Sequence, residues 1–126
     1  MLNIFTKKQT DEDFARQYLY EKVQKYTVID LETTGVNIHT DEIIEISAVR
    51  IRNGKIAGSF SSLVKPSGKI PEEATAVNNI TDRMVRWAPR IEKVLPRFLK
   101  FIGTDVLVGH TLGGSMYRSL IGNAMR

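Results

Sequence analysis

Residues 43–64 read IIEISAVRIRNGKIAGSFSSLV, and they carry the clearest sign of the fold class. Ile43 to Arg52 is rich in β-branched residues, which predicts a strand, and Asn53-Gly54 strongly favours a two-residue hairpin turn. We therefore predict the returning strand of a hairpin from Lys55 to Val64. Tyr26 to Leu31 reads as a buried strand before this hairpin, so the three strands should form an antiparallel meander.

A helix is predicted from Arg90 to Ile102, between Pro89 and Gly103. Its apolar residues recur at the spacing of one helix face: Ile91, Val94, Leu95, Phe98, Leu99 and Ile102. This helix leads into a short apolar strand, Val106 to Gly109. A strand reached through such a crossover lies parallel to an earlier strand of the same sheet. The expected fold is therefore α/β with a mixed sheet: a three-strand antiparallel meander plus one parallel strand, with flanking helices.

Other helices are expected outside the sheet and the helix at residues 90–102. Asp11 to Lys25 reads as a helix capped by Asp11, with apolar residues near a 3.6-residue period at Phe14, Tyr18, Leu19 and Val23. A short turn or helix is expected at Glu72 to Val77, and Thr81 is a candidate cap for another. We expect residues 1–25 to form an accessory helix and residues 26–126 to form the main domain.

The composition excludes several classes of protein. The 126 residues are 42% hydrophobic and 25% charged, which suits one globular domain. No cysteine is present, so disulfides, thiolate zinc sites and thiol nucleophiles are excluded, and any metal must bind oxygen or imidazole. No apolar run approaches the ~20 residues of a membrane helix, and the amino end lacks the apolar centre of a signal peptide. We therefore expect a soluble, cytoplasmic protein that does not bind a membrane.

Charge is unevenly distributed along the chain. Residues 30–82 hold eight acidic and five basic side chains, whereas residues 83–126 hold eight basic and two acidic ones. An acidic centre followed by a basic end suits a cation site beside a surface for a polyanion. The same charges can equally be the solvated faces of helices, so this pattern alone leaves both interpretations open.

Asp30 and Glu32 are the side chains with the clearest chemical potential. Alternate residues of a strand share a face, so both carboxylates should project the same way from the end of the first strand and form the start of a hard-cation site. The Thr33-Thr34-Gly35 turn follows. Its hydroxyls and amides can bond the sugar and phosphate of a nucleotide, and its glycine permits close approach of a ligand. The alternative is a strand that ends in a polar turn without a ligand.

Residues 28–35, Val-Ile-Asp-Leu-Glu-Thr-Thr-Gly, resemble the first motif of the DEDD exonucleases, the group that contains the proofreading subunit of bacterial DNA polymerase III. Further stretches resemble successive parts of that family in the same order. They are Asp41 to Val49 for its second strand, Leu63 to Pro66 with Ile70-Pro71 for its substrate-side loop, Asn79-Ile80-Thr81 for its Gly-Ile-Thr turn, and Val106 to His110 for the opening of its second motif. The resemblance spans residues 26–110.

This resemblance implies a ribonuclease H-like fold and 3′ to 5′ hydrolysis of terminal phosphodiesters. The implied partners are a nucleic-acid 3′ end, with single-stranded DNA expected and RNA left open, and a DNA polymerase. Four acidic side chains in the family hold two Mg²⁺ or Mn²⁺ ions; Asp30 would bridge both ions and Glu32 would bind one. The residues that would contact substrate are Thr33, Thr34, Gly35 and Ile80.

The chain departs from the family after His110. The family continues with Asn, two variable residues, Phe and the second metal-binding Asp, whereas residues 111–115 here are Thr-Leu-Gly-Gly-Ser. The hydroxyl of Ser115 cannot replace the charge of a carboxylate. The sequence reaches Arg126 before the family's third motif, which carries the general-base histidine. We therefore expect a truncated domain with little or no activity and at most weak binding of Mg²⁺ or Mn²⁺. We also expect an open strand edge at Val106 to Gly109 that invites dimerisation.

Two alternatives to an exonuclease remain open. One is a remnant that has lost its chemistry and keeps nucleic-acid or protein contacts; the other is a frameshifted product without a role. If Gly114, Ser115 and Met116 are encoded GGT TCG ATG, the neighbouring frame contains TTC GAT, which encodes the missing Phe-Asp. The rival account of this tail is a helix capped by Ser115, with Met116, Tyr117, Leu120, Ile121 and Ala124 on one face.

The histidines and the basic run have structural as well as functional explanations. Neither His39, expected in an exposed loop, nor His110 matches the catalytic histidine of the family. Trp87 can stack on a base, but packing is the favoured interpretation. A basic run can steer a phosphate backbone or form the wet face of the helix at residues 90–102: Arg83, Arg86, Arg90, Lys93, Arg97 and Lys100.

Overall fold

A computed structural model of the chain describes residues 10–37 and 39–109. Four helices and four strands follow one another in this part of the chain. They are α1 (Asp11–Val23), β1 (Lys25–Thr33), β2 (Ile43–Arg52), β3 (Lys55–Leu63), α2 (Glu72–Asn78), α3 (Asp82–Val85), α4 (Ile91–Ile102) and β4 (Val106–Gly109).

The four strands form one mixed sheet in the order β3-β2-β1-β4. β1 is antiparallel to β2 and β2 to β3, whereas β4 is parallel to β1. The predicted meander, crossover helix and parallel strand are thus confirmed. The hairpin turn has Asn53 at φ 51° and Gly54 at φ 74°, and consecutive positive φ angles are the geometry for which Asn-Gly is selected.

The main core lies between one face of the sheet and α4. Ile29, Ile46 and Ala48 from the strands pack with Val94, Phe98 and other apolar residues of the predicted α4 stripe. The Phe60 and Phe98 rings lie with centroids 5.7 Å apart. On the opposite face of β1 and β4, Val28, Val106 and Val108 are 39%, 45% and 46% exposed. The described residues therefore cover the sheet on one side.

A second, smaller core holds α2 and α3 at one end of the sheet. It is made by Ile44, Ile70, Ile80 and Val85, each at most 5% exposed. Thr81 caps α3, as predicted, because its Oγ1 accepts a hydrogen bond from Met84 N at 3.3 Å. These contacts fix the two short helices beside the end of β1.

The prediction that Asp11 caps α1 is wrong, because Thr10 performs this role. Asp13 N donates to Thr10 Oγ1 at 3.1 Å, and Asp13 Oδ2 accepts from Thr10 N at 3.2 Å. This reciprocal pair satisfies amides at the helix start. Phe14 and Tyr18, predicted to lie on an apolar stripe, are 66% and 54% exposed. Lys25, predicted to end the helix, begins β1.

β4 is an outer strand of the sheet in the described part of the chain. The dimer expected at this edge stays a prediction, as does the division at residue 25. The predictions for residues 110–126, including those for His110, Ser115 and the capped helix, lie outside the described residues. Within those residues, no helix combines the length and apolar character needed to cross a lipid bilayer.

Candidate active site

Asp30 and Glu32 share one face of β1, as the strand alternation predicted. Thr27 and Ile29 are buried toward α4, so the side chains between and beyond them project to the other face, where Asp30 is exposed and Glu32 half-buried. In the antiparallel pairing with β2, Asp30 lies opposite Ser47 and Glu32 opposite Glu45. Three carboxylates, those of Asp30, Glu32 and Glu45, therefore lie on this face of the sheet.

The electrostatics of this cluster favour a positive ligand. Burial, and then the negative charges of Asp30 and Glu45, raise the pKa of Glu32 above its usual 4.5. A cation between these carboxylates would oppose both effects, because it replaces lost hydration and offsets the repulsion. Within residues 10–37 and 39–109, however, no three acidic or histidine side chains are arranged closely enough to hold a metal ion.

Glu45 was missed by the sequence reading as part of this cluster. Its position on the same face as Glu32 depends on the register between β1 and β2, which are joined by the irregular segment at residues 34–42. The register also shifts between Glu32 and Thr33. Strand alternation alone could show that Glu45 lies on one side of β2, but it could not show which residue of β1 lies opposite.

The hydroxyls of the turn after β1 are engaged within the protein. Thr33 Oγ1 donates to Gly35 O at 2.6 Å. Thr34 is 9% exposed, and its Oγ1 donates to Asp41 Oδ1 at 3.1 Å while accepting from Glu42 N at 2.9 Å. Both hydroxyls thus hold the turn in shape. Their predicted contact with a nucleotide stays a prediction.

Gly35 is required by the neighbouring carboxylate of Asp41. A Cβ atom at residue 35 would lie 2.5 Å from Asp41 Oδ2 and 2.7 Å from its Cγ. The same carboxylate accepts a hydrogen bond from Asn37 N at 2.7 Å, so it is not free to withdraw. The close approach that the glycine permits in this structure is to the protein's own side chain; an approach to substrate stays a prediction.

Ile80 packs in the smaller core. Its side chain is 3% exposed, and its backbone N and O are bonded to Asn78 Oδ1 and Thr75 Oγ1 at 3.0 and 2.7 Å. Asn78 Nδ2 also donates to Thr33 O at 3.3 Å, which joins the end of α2 to the end of β1. The structure gives Ile80 a packing role, and its contact with substrate stays a prediction.

Asn79, which stands where the family has glycine, adopts φ 60° and ψ 16° at the end of α2. Asparagine is among the few residues besides glycine that adopt this left-handed conformation readily. The substitution is therefore compatible with the turn that the family uses. His39 lies in an exposed position, as predicted.

Comparison with known proteins identifies the family. A family model described as exonuclease, RNase T, matches residues 27–118. The chain belongs to the RNase T exonuclease family. This match includes all of the sheet except the first two residues of β1, together with the helices between β3 and β4, so it covers the cluster of Asp30, Glu32 and Glu45. The resemblance to DEDD exonucleases seen in the sequence is thereby confirmed.

Two relatives of the chain are named as DNA polymerase III proteins. The chain is 46% identical over 86 residues to a DNA polymerase III of PolC type from Clostridium perfringens, covering 68% of the chain and 6% of that protein. It is 45% identical over 85 residues to a DNA polymerase III subunit epsilon from Aquifex aeolicus, covering 68% of the chain and 42% of that protein. The chain thus spans less than half of either relative.

Solved structures agree with this family. Exonuclease X, determined in complex with 5′ overhanging duplex DNA, is 35% identical with a TM-score of 0.63, over 75% of this chain and 52% of that one. Exonuclease I has a TM-score of 0.69 at 16% identity, over 79% of this chain and 24% of that one, and shows the fold alone. The ribonuclease H-like fold expected from the sequence is confirmed.

Proposed function

We propose that this chain carries the first part of a 3′ to 5′ exonuclease site that acts on the terminal phosphodiester of DNA, with single-stranded DNA as the substrate. The observation that carries the proposal is the shared, accessible face of Asp30 and Glu32 at the end of β1. Exonuclease X, a 35% identical relative by structure, was determined with DNA, which supports DNA as the substrate class. Relatives named as DNA polymerase III support a polymerase partner.

The donor set suits a hard divalent cation such as Mg²⁺ or Mn²⁺. Carboxylate oxygens are the preferred ligands of these ions. Burial raises the pKa of Glu32, and the negative charges of Asp30 and Glu45 raise it further. Asp30 and Glu32 would hold the ions. When bound, two such ions supply an activated water and stabilise the leaving 3′ oxygen. Glu45, opposite Glu32, adds negative charge that draws cations to the same face.

The rigid surroundings of the two carboxylates serve to orient them. Glu32 lies next to a turn that is locked by the Thr34, Asp41 and Glu42 hydrogen bonds. Asn78 fastens α2 to the carbonyl of Thr33, the residue that follows Glu32. The backbone that carries the ligands is therefore held from both sides.

We further propose that this polypeptide by itself hydrolyses DNA poorly. Ser115 stands at the position that matches the second metal-binding Asp of the family, and a neutral hydroxyl leaves the cation pair short of negative charge. A cation pair that lacks a negative ligand is held less tightly and stabilises the charge that develops in the transition state less well. Binding of DNA and of a single cation does not require that missing carboxylate.

Two measurements test these proposals separately. Mn²⁺ binding, followed by electron paramagnetic resonance, should be lost in Asp30→Asn and retained in Asp11→Asn, a matched change at an exposed residue of α1 outside the cluster; equal binding in both would refute the metal site. A 3′-labelled single strand incubated with Mn²⁺ should stay nearly intact. Efficient stepwise shortening that Asp30→Asn abolishes would refute the proposed inactivity while supporting the site.

A further inference from the structure

We propose that a basic groove between the segment after β3 and the start of α4 binds the phosphate backbone of single-stranded nucleic acid, with Trp87 as a stacking platform for a base. The proposal extends the proposed function, because it gives the same substrate a second point of contact away from Asp30 and Glu32. It does not require hydrolysis to occur.

The groove has the size and lining of a binding surface. Its volume is about 610 Å³, and it is lined by Lys65 from the segment after β3, by residues 86–90, and by Glu92 and Lys93 at the start of α4. A second depression of about 390 Å³ adjoins it and shares Lys65, Arg86 and Arg90. The lining of the second depression includes Lys69 and the Ser67-Gly68 turn. The two depressions thus form one continuous basic track.

The cations of this track are not neutralised by carboxylates. Lys65, Lys69, Arg86, Arg90 and Lys93 line the two depressions, against Asp82 and Glu92. The five basic side chains outnumber these two acids, so the lining carries a net positive charge. In the part of the chain that the structure describes, none of the five cations forms an ion pair. Such a surplus of unpaired positive charge attracts a polyanion.

Trp87 is placed at this track with its ring in solvent. It is 89% exposed, so the favoured interpretation that Trp87 has a packing role is wrong. The Arg86 guanidinium carbon lies 5.9 Å from the centre of the indole ring. An exposed indole flanked by cations presents a flat apolar face beside phosphate-binding groups, which is the combination that single-stranded nucleic acid recognises.

The walls of the groove are held in place. Lys65 N donates to Pro89 O at 2.9 Å, which ties the two sides of the groove together. The Glu42 carboxylate accepts hydrogen bonds from Ser67 N and Oγ, at 2.8 to 3.1 Å, and Val85 is 3% exposed in the smaller core. A preformed groove loses little freedom when it binds, because its backbone is already ordered.

The groove lies at the end of the sheet that carries the carboxylates. Glu32 pairs with Glu45, and Glu45 pairs with Leu63, so these residues form one row across three strands. Neighbouring strands are about 4.8 Å apart, which places the backbones of Glu32 and Leu63 about 10 Å from each other. Lys65 follows Leu63 by two residues. The groove and the carboxylates therefore lie at the same end of the sheet, with α4 and the carboxylates on opposite faces, and one strand of several nucleotides would pass around this end to contact both.

Nucleic acid is favoured over a phosphorylated peptide by the arrangement of the charges. The cations are spread along a track rather than gathered around one point, which suits a repeated phosphate more than a single one. A base of the nucleic acid can stack on the adjoining indole, whereas a peptide phosphate makes no use of that ring. A phosphopeptide that bound equally well would therefore count against the proposal.

The test uses the intrinsic fluorescence of Trp87, which is the only tryptophan in the chain. The protein is titrated in EDTA with oligothymidylate of about twelve nucleotides, within the usual site sizes of single-strand binding surfaces. We expect oligothymidylate to quench the Trp87 fluorescence. The logarithm of the binding constant should fall linearly with the logarithm of the salt concentration, and the slope of this line is the salt slope. Arg90→Gln should lower the salt slope by about 0.7, the value for one phosphate contact on a single strand. Arg97→Gln, a matched exposed arginine on α4 outside the groove, should leave the slope unchanged.

A labelled oligonucleotide extends the test to Trp87 itself. In fluorescence anisotropy, Trp87→Ala should weaken binding about tenfold, while Trp87→Phe should retain most of it because a ring is preserved. Equal effects of Arg90→Gln and Arg97→Gln, or no quenching by oligothymidylate, would refute the proposal. Oligothymidylate should still quench the Trp87 fluorescence of the double variant Asp30→Asn with Glu32→Gln. This result separates the two proposals, because oligothymidylate binding at the groove is then measured in a variant that lacks both proposed metal ligands.

Discussion

Glu32 on β1 and Glu45 on β2 lie directly opposite each other in the antiparallel pair, so two like charges face each other at the end of the sheet. Opposed side chains in such a pair have Cβ atoms about 4.5–5.5 Å apart, and like charges at that distance destabilise a sheet. The residues that attract cations therefore also weaken the fold in the absence of a cation.

This relationship predicts that Glu32→Gln stabilises the protein at neutral pH. The pKa of Glu32 is raised in the folded state, so the folded protein holds this proton more tightly than the unfolded chain does. Stability consequently falls as pH rises from the usual value of 4.5 through the folded pKa. In urea unfolding, Glu32→Gln should raise the free energy of unfolding at pH values above the folded pKa. This increase should vanish at pH values below 4.5. Glu45→Gln, which removes one neighbouring charge, should give a smaller gain; no gain from Glu32→Gln at neutral pH would contradict the prediction.

Gly35→Ala should destabilise the turn after β1. The new Cβ would lie 2.5 Å from Asp41 Oδ2, and overpacking of this kind typically costs about 1–3 kcal/mol. Thermal unfolding would measure the loss. The same substitution in an Asp41→Ala background should cost much less, because the colliding carboxylate is gone. An equal cost in both backgrounds would show that the contact with Asp41 is not the cause.

Asp105→Ala should destabilise the connection between α4 and β4. Asp105 accepts hydrogen bonds at 2.8 Å from Thr27 Oγ1 and Arg52 Nη2, and Thr27 is fully buried. Removal of the carboxylate leaves the Thr27 hydroxyl without this partner, at a cost of about 1–3 kcal/mol. Urea unfolding of the single variants and of Thr27→Val with Asp105→Ala forms a double-mutant cycle. Strict additivity in this cycle would argue against the contact.

The same carboxylate predicts a loss of stability in acid. Burial acts to raise the pKa of Asp105, but hydrogen bonds from Thr27 and Arg52, together with the positive charges of Arg52 and Arg50, outweigh it and hold the pKa below 3.8. The stabilisation is therefore present above pH 3.8 and is lost as pH falls through the lower folded pKa. The stability difference between Asp105→Ala and the unmodified chain should shrink in that acidic range.

The coding sequence for residues 111–126 tests the frameshift hypothesis. If that hypothesis is correct, the neighbouring frame encodes Phe-Asp at the second motif, and continues to a His and an Asp of the third. Restoring this frame should then produce Mn²⁺-dependent exonuclease activity that Asp30→Asn abolishes. An early stop codon or the absence of Phe-Asp in that frame would exclude the hypothesis and favour the diverged helix.

Local features of the chain were predictable because consecutive residues encode them. The Asn53-Gly54 turn depends on two adjacent φ angles, the placement of Asp30 and Glu32 on one face depends on strand alternation, and the Ile91–Ile102 helix depends on its apolar period. In each case the physical cause, a steric or periodic constraint on neighbouring residues, acts within a short stretch. The structure therefore reproduces these elements to within one or two residues.

Relationships between distant residues required the tertiary structure. Whether Glu45 meets Glu32 depends on the register of two strands joined by an irregular loop, and whether Trp87 is buried depends on how α3 and α4 lie against the sheet. Gly35 and Asp41 likewise meet only because the intervening loop turns back on itself. Pairing and packing energies are summed over many contacts across the fold, so no short pattern of residues contains them.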